Sequence, residues 1–168
     1  RFTKMPVTLS CDLSAQLNAP KRAVTALLNA RLVPLITRLL EGVKRSTQQY
    51  GISAPLMIMR GDGSLVSSDF VATKPIETIL SGPAASAVGA VALSSLHDGL
   101  VVDIGGTTTD VAVIARGKPV AAQAGAVVGG YETMVNAIRV HTEGIGGDSY
   151  VAPQPLSRSG FTVGPQRA

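Results

Sequence analysis

At 168 residues the chain has room for one domain with a sizeable core and is too short for two ordinary ones. Hydrophobic residues make up 45% of it and charged residues 15%, an apolar balance that excludes intrinsic disorder. The net charge of +4 is uneven: residues 1–60 carry nine Lys/Arg against Asp12 and Glu41, or +7, leaving six against nine, or −3, for the remainder.

Basic residues with so few aromatics among them point to a solvated helix face and away from nucleic acid, which would call for stacking platforms. Cys11 is the single cysteine, which excludes an internal disulfide and any zinc or iron–sulfur site made of several thiolates of this chain. A cytoplasmic setting is therefore expected. No apolar run reaches the length of a membrane span, so no membrane association is expected either. The opening RFTKMPVTLS lacks the apolar core of a signal peptide; Arg1 in place of Met leaves processing or truncation open.

In chain order, Val7 and Leu9 predict a short strand or an extended lead-in. From Pro20 to Tyr50, apolar positions such as Val24, Leu28, Leu32, Ile36, Leu40 and Val43 recur at three- and four-residue spacing, the period of an amphipathic helix. Asn18 can cap it, Pro20 suits its first turn and Gly51 can end it. Arg31, Arg38 and Arg45 share its polar face, and Pro34 is expected to kink it or split it. Leu56–Met59 reads as a buried strand followed by the turn Arg60-Gly61-Asp62-Gly63. Asp62 is read as turn-forming, although it sits where open α/β sheets place ligands. Ser81 is expected to cap a helix whose small residues, among them Ala84, Ala85 and Ala87, let it press on a sheet or a helix. His97 reads as a surface loop residue.

Leu100 to Ile114, LVVDIGGTTTDVAVI, organises the chain. Two short apolar runs, read as strands buried on both faces, flank a turn with adjacent glycines. Gly105 and Gly106 let the backbone approach a ligand, and consecutive turn amides can converge on an anion. Thr107, Thr108 and Thr109 add hydroxyl donors, while Asp103 and Asp110 offer hard oxygen ligands suited to Mg²⁺. A bare Asp-x-Gly-Gly is more often an ordinary hairpin turn; the eight residues Asp103–Asp110 set between apolar strands favour a site for nucleotide phosphates.

Beyond it, Arg116-Gly117-Lys118-Pro119 predicts a turn into a Val120–Ala124 strand, completing an antiparallel meander. Ile138–Thr142 is a possible strand. The second glycine cluster, Gly144-Ile145-Gly146-Gly147, reads by itself as a flexible turn; beside the Asp103 turn it could pass the nucleotide's sugar or α-phosphate. His141 is open to a structural, metal or proton-shuttling role. Val151–Ala168, rich in Pro, Ser and Gly, reads as a loop.

The Asp103–Asp110 turn closely resembles the phosphate-binding hairpin of the superfamily of actin, sugar kinases and heat-shock ATPases. With Arg60–Gly63, Ser81-Gly82-Pro83-Ala84-Ala85, His141-Thr142 with the second glycine cluster, and Val163-Gly164-Pro165, the chain resembles one branch of it, the hydantoinase/oxoprolinase family. That resemblance implies an α/β, ribonuclease-H-like domain over residues 1–168, a mixed sheet with an antiparallel meander and flanking helices, forming one half of a two-domain ATPase. It also implies ATP and Mg²⁺ as cofactors, a small cyclic amide as substrate, a missing N-terminal domain of the same parent chain, and a second subunit of the hydantoinase B type. ATP would phosphorylate the substrate's carbonyl oxygen to make a leaving group. Gly105, Gly106, Thr107 and Thr108 would bind phosphate, Gly146 and Gly147 would border the nucleotide, and Asp103 and Asp110 would hold metal or its waters. Asp148 stands where the family commonly has a third glycine. Alternatives are a kinase, a ketone carboxylase subunit, or a non-enzymatic regulatory domain. The isolated chain is not expected to turn over ATP.

Overall fold

The computed structural model describes residues 7–154 and 160–167. In chain order they form helices α1 (Ser10–Leu13) and α2 (Ala19–Gln49), a hairpin of β1 (Met57–Met59) and β2 (Leu65–Ser67), then α3 (Ser68–Thr73), a 3-10 turn (Pro75–Thr78) and α4 (Ser81–Ser94). Strands β3 (Gly99–Ile104), β4 (Thr109–Ala115), β5 (Lys118–Pro119), β6 (Val127–Val128), β7 (Tyr131–Glu132), β8 (Val140–Glu143), β9 (Ser149–Pro153) and β10 (Phe161–Arg167) follow. The chain is thus α/β, but every strand pairing among the described residues is antiparallel. The expected mixed sheet is replaced by small antiparallel ones.

Two compact units are present: Arg1–Ala85 with Ala121–Ile138, and Ser86–Val120 with Arg139–Ala168. The first is built on α2. Asn18 caps it by accepting from the Lys21 amide at 3.1 Å, and Gly51, at φ +68°, ends it. The helix runs unbroken through Pro34, so it is not split. Arg31, Arg38 and Arg45 are exposed, as a solvated face requires. By length and composition alone α2 could cross a membrane, which corrects the expectation that no stretch has that length. Its polar fastenings tie it to the unit: wholly buried Asn29 donates to Thr73 O at 3.0 Å and accepts from the Ile76 amide at 3.2 Å, and Thr25 accepts from the Met134 amide at 2.9 Å. Ile76, Ala126, Val135 and Ala137 form the adjoining core, flanked by Leu28 and Leu32 of α2.

β1 is not the buried strand expected, since Met57 is exposed and Ile58 and Met59 are half-buried in a two-stranded hairpin. Asp62 forms its turn, accepting from the Ser64 amide at 2.9 Å and hydroxyl at 2.6 Å and pairing with Arg60 at 3.0 Å. Burial raises the Asp62 carboxyl, but the Ser64 hydrogen bonds and the Arg60 guanidinium outweigh it and leave it below the usual carboxylate range.

In the second unit β4 pairs with β3 along one edge and with β8 and β5 along the other. The turn at Arg116 and Gly117, both at positive φ, is as expected, but β5 is two residues long, not a Val120–Ala124 strand; Ala121 makes only an isolated bridge to Ile138. The predicted Ile138–Thr142 strand begins two residues later. β3 is not buried on both faces. Leu100, Val102 and Ile104 are 63%, 53% and 69% exposed, because β3 pairs only with β4 among the described residues and one of its faces is uncovered. β9 and β10 form an antiparallel hairpin, correcting the reading of the tail as loop; residues 155–159 and Ala168, like Arg1–Pro6 at the start, lie outside the described residues.

Candidate functional site

Antiparallel register places Asp103 of β3 directly opposite Asp110 of β4, and Asp110 directly opposite Thr142 of β8. Directly opposed residues share a face, so the three form one row across the sheet. Two carboxylates so placed repel each other. Each accepts a hydroxyl: Ser86 of α4 donates to Asp103 Oδ2 at 2.5 Å, and Thr142 donates to Asp110 Oδ1 at 2.5 Å. The second oxygen of each accepts no hydrogen bond among the described residues. The two open oxygens suit a hard cation. Among the described residues no three His, Cys, Asp or Glu side chains gather, so a cation here would complete its shell with water or phosphate oxygens, as Mg²⁺ commonly does.

Between the strands, the Gly105 amide donates to Thr108 O at 2.9 Å and closes the hairpin. That amide was expected to bind phosphate and is instead spent within the turn; the Gly106 and Thr107 amides have no acceptor among the described residues. Thr107 is exposed and Thr108 half-buried. Thr109, the third expected hydroxyl donor, gives its hydroxyl to Ile145 O at 2.7 Å, so it holds the second glycine loop.

The structure brings the two glycine clusters together. Gly147 N donates to Gly105 O at 2.9 Å and Asp148 N to Gly106 O at 2.7 Å. A Cβ on Gly146 would lie 2.5 Å from Gly106 O and 2.6 Å from Thr107 N, so only glycine fits there. The second loop is closed on itself by Gly146 N to Ser149 Oγ at 2.8 Å and Ser149 N to Gly146 O at 3.0 Å. Asp148 Oδ2 lies 2.7 Å from where a Gly106 Cβ would stand, which places a third carboxylate against the first turn.

His141 falls outside this row. It alternates with Thr142 along β8, so it faces the other side of the sheet, where its ring pairs with Glu143 at 2.6 Å. His97 is an exposed loop residue beside Asp98, as expected. The Asp98 carboxyl is held below its ordinary range first by the Arg116 amide and then by His97. Sequence reasoning missed Ser86 and Thr142 as partners of the aspartates: a lone hydroxyl on a helix or strand has no pattern, and only the sheet register reveals Thr142.

The chain is 28% identical over 120 residues to an uncharacterized protein of Methanocaldococcus jannaschii, covering 70% of this chain and 18% of that one. An uncharacterized protein of Schizosaccharomyces pombe is 36% identical over 112 residues, covering 62% of this chain and 8% of its own length. Among solved structures, nucleotide-free acetone carboxylase, studied for ATP-dependent acetone carboxylation, superposes with a TM-score of 0.72 at 21% identity, over 94% of this chain and 22% of that one. The chain therefore spans less than a quarter of the length of each of these relatives. Residues 22–168 match the family pattern described as Hydantoinase/oxoprolinase, and the chain belongs to that family.

Proposed function

We propose that this chain is the nucleotide-phosphate-binding portion of a longer ATP-dependent enzyme that opens cyclic amides, of the hydantoinase or 5-oxoprolinase type. The observation that carries this reading is the docking of two glycine turns, through Gly147 N to Gly105 O and Asp148 N to Gly106 O, beside the opposed carboxylates Asp103 and Asp110. The free amides of Gly106 and Thr107 and the hydroxyls of Thr107 and Thr108 would donate to phosphate oxygens. Gly146 and Gly147 would border the nucleotide, their lack of side chains permitting close approach. Asp103 and Asp110 would hold Mg²⁺ or its waters through their open oxygens; the bound ion would offset the negative charge of the phosphates. What the chain itself supplies is positioning and charge placement. On this reading residues 1–168 act as one half of an actin-like, ribonuclease-H-like ATPase in the cytoplasm. A further domain of the same polypeptide would complete the cleft, and a hydantoinase B-type subunit would be the partner in amide opening.

The alternative reading is ATP-dependent ketone carboxylation, the activity named for the structural neighbour acetone carboxylase, whose 21% identity speaks for the fold alone. The test uses the full-length protein with its partner subunit. Calorimetry with Mg-ATP is expected to show binding, and ATP-dependent turnover is expected with hydantoin or 5-oxoproline. Turnover only with acetone and bicarbonate would replace the first reading with the second, and no heat with Mg-ATP would overturn both.

A further inference from the structure

We infer that Ser86 and Thr142 are positioning residues that fix the two metal-side carboxylates, each hydroxyl holding one carboxylate oxygen and so aiming the other at the cation. The inference rests on the Mg-nucleotide reading above. Its starting point is an exception among helix hydroxyls. Thr25, Thr37 and Thr47 of α2 and Ser94 of α4 each give their hydroxyl to the backbone carbonyl four residues earlier, at 2.6–3.1 Å. That is the default for a helical Ser or Thr. Ser86, on the same helix as Ser94, instead donates to Asp103 Oδ2 on the neighbouring strand at 2.5 Å. Thr142 repeats the device from the other side of the row, donating to Asp110 Oδ1 at 2.5 Å.

The physical need follows from the register. Asp103 is exposed, and its carboxylate faces that of Asp110 across the ladder, so without restraint the two like charges swing apart. A hydroxyl bond to an ionised carboxylate is short and roughly twice as strong as a neutral one, which suits it to holding a rotamer against that repulsion. Because both clamps come from outside the β3–β4 hairpin, one from α4 and one from β8, they set the spacing of the open oxygens before any ion arrives.

The experiment uses full-length protein and Mn²⁺ as the probe, followed by electron paramagnetic resonance with the ATP analogue AMP-PNP; circular dichroism checks folding. Ser86→Ala and, independently, Thr142→Val are each expected to weaken Mn²⁺ binding about tenfold, the loss of one hydrogen bond to a charged group. Ser86→Thr and Thr142→Ser, which keep the hydroxyl, are expected to stay within about threefold of wild type. AMP-PNP binding in EDTA is expected to be unchanged throughout. Wild-type protein that binds no Mn²⁺–AMP-PNP would overturn the nucleotide reading and this inference with it. Wild-type binding with unaltered Ser86→Ala and Thr142→Val would overturn the inference alone, as would equal losses with and without metal, which mark a purely structural role.

Discussion

Gly146 and Gly147 are neighbours in sequence but not in consequence. A methyl at Gly146 would stand 2.5 Å from Gly106 O, and 2.6 Å from Gly106 C and Thr107 N, while one at Gly147 would meet only Gly105 O, at 3.9 Å. The first is 0.9 Å short of the 3.4 Å at which ordinary contact begins, and all three obstructing atoms are backbone, so no side chain can swing clear. In Gly146→Ala the two turns must separate, stretching the Gly147–Gly105 and Asp148–Gly106 hydrogen bonds of 2.9 and 2.7 Å. Overpacking of this kind costs about 1–3 kcal/mol and the two stretched hydrogen bonds together about 1 kcal/mol. Local opening of the docked turns should then become easier by about 2–4 kcal/mol, and at 2 kcal/mol the open population rises roughly thirtyfold. Hydrogen exchange read by mass spectrometry over residues 144–149 of the full-length protein measures this directly. Gly146→Ala is expected to exchange at least about thirtyfold faster there, and Gly147→Ala to stay within about threefold of wild type. Equal protection in the two variants would refute the docking of the turns.

Three further outcomes are expected. Asp103→Asn in the full-length protein should weaken Mg-ATP binding about tenfold or more by calorimetry, with little change in magnesium-free nucleotide binding. Asn29→Leu leaves the Ile76 amide and Thr73 carbonyl unpaired in a buried site and should destabilise the fold by about 2–4 kcal/mol, read from denaturant midpoints. Because the folded Asp62 carboxyl lies below its unfolded value, its contribution to stability is complete above the ordinary carboxylate range and is lost as pH falls through the depressed folded value. Ser64→Ala should move the Asp62 titration upward, as followed by carboxyl carbon NMR.

The strand, turn and strand around Asp103 was legible because an adjacent glycine pair between β-branched runs has few other solutions, and Asn18, Pro20 and Gly51 marked the ends of α2 by their backbone chemistry. That the second glycine cluster would meet the first was readable only as a possibility, since their contact depends on β8 pairing with β4 in one register. Periodicity could not show that β3 has an uncovered face, because apolar alternation records what a strand can bury and not what lies beside it. The β9–β10 hairpin was hidden by its Pro and Ser content, for which cross-strand pairing compensates. Thr109 and Gly105 illustrate a different limit: both have the chemistry to bind phosphate, yet each is spent holding the turns together.

The uncovered side of β3 carries a practical consequence. Leu100, Val102 and Ile104 project from a strand that has a partner along only one margin among the described residues, which pairs greasy side chains with unsatisfied peptide groups. Such a margin is a template on which another extended chain can grow. Produced in isolation, this polypeptide should be adhesive and prone to self-association, and Val102→Lys should improve its solubility without touching the carboxylate row on the opposite side of the sheet.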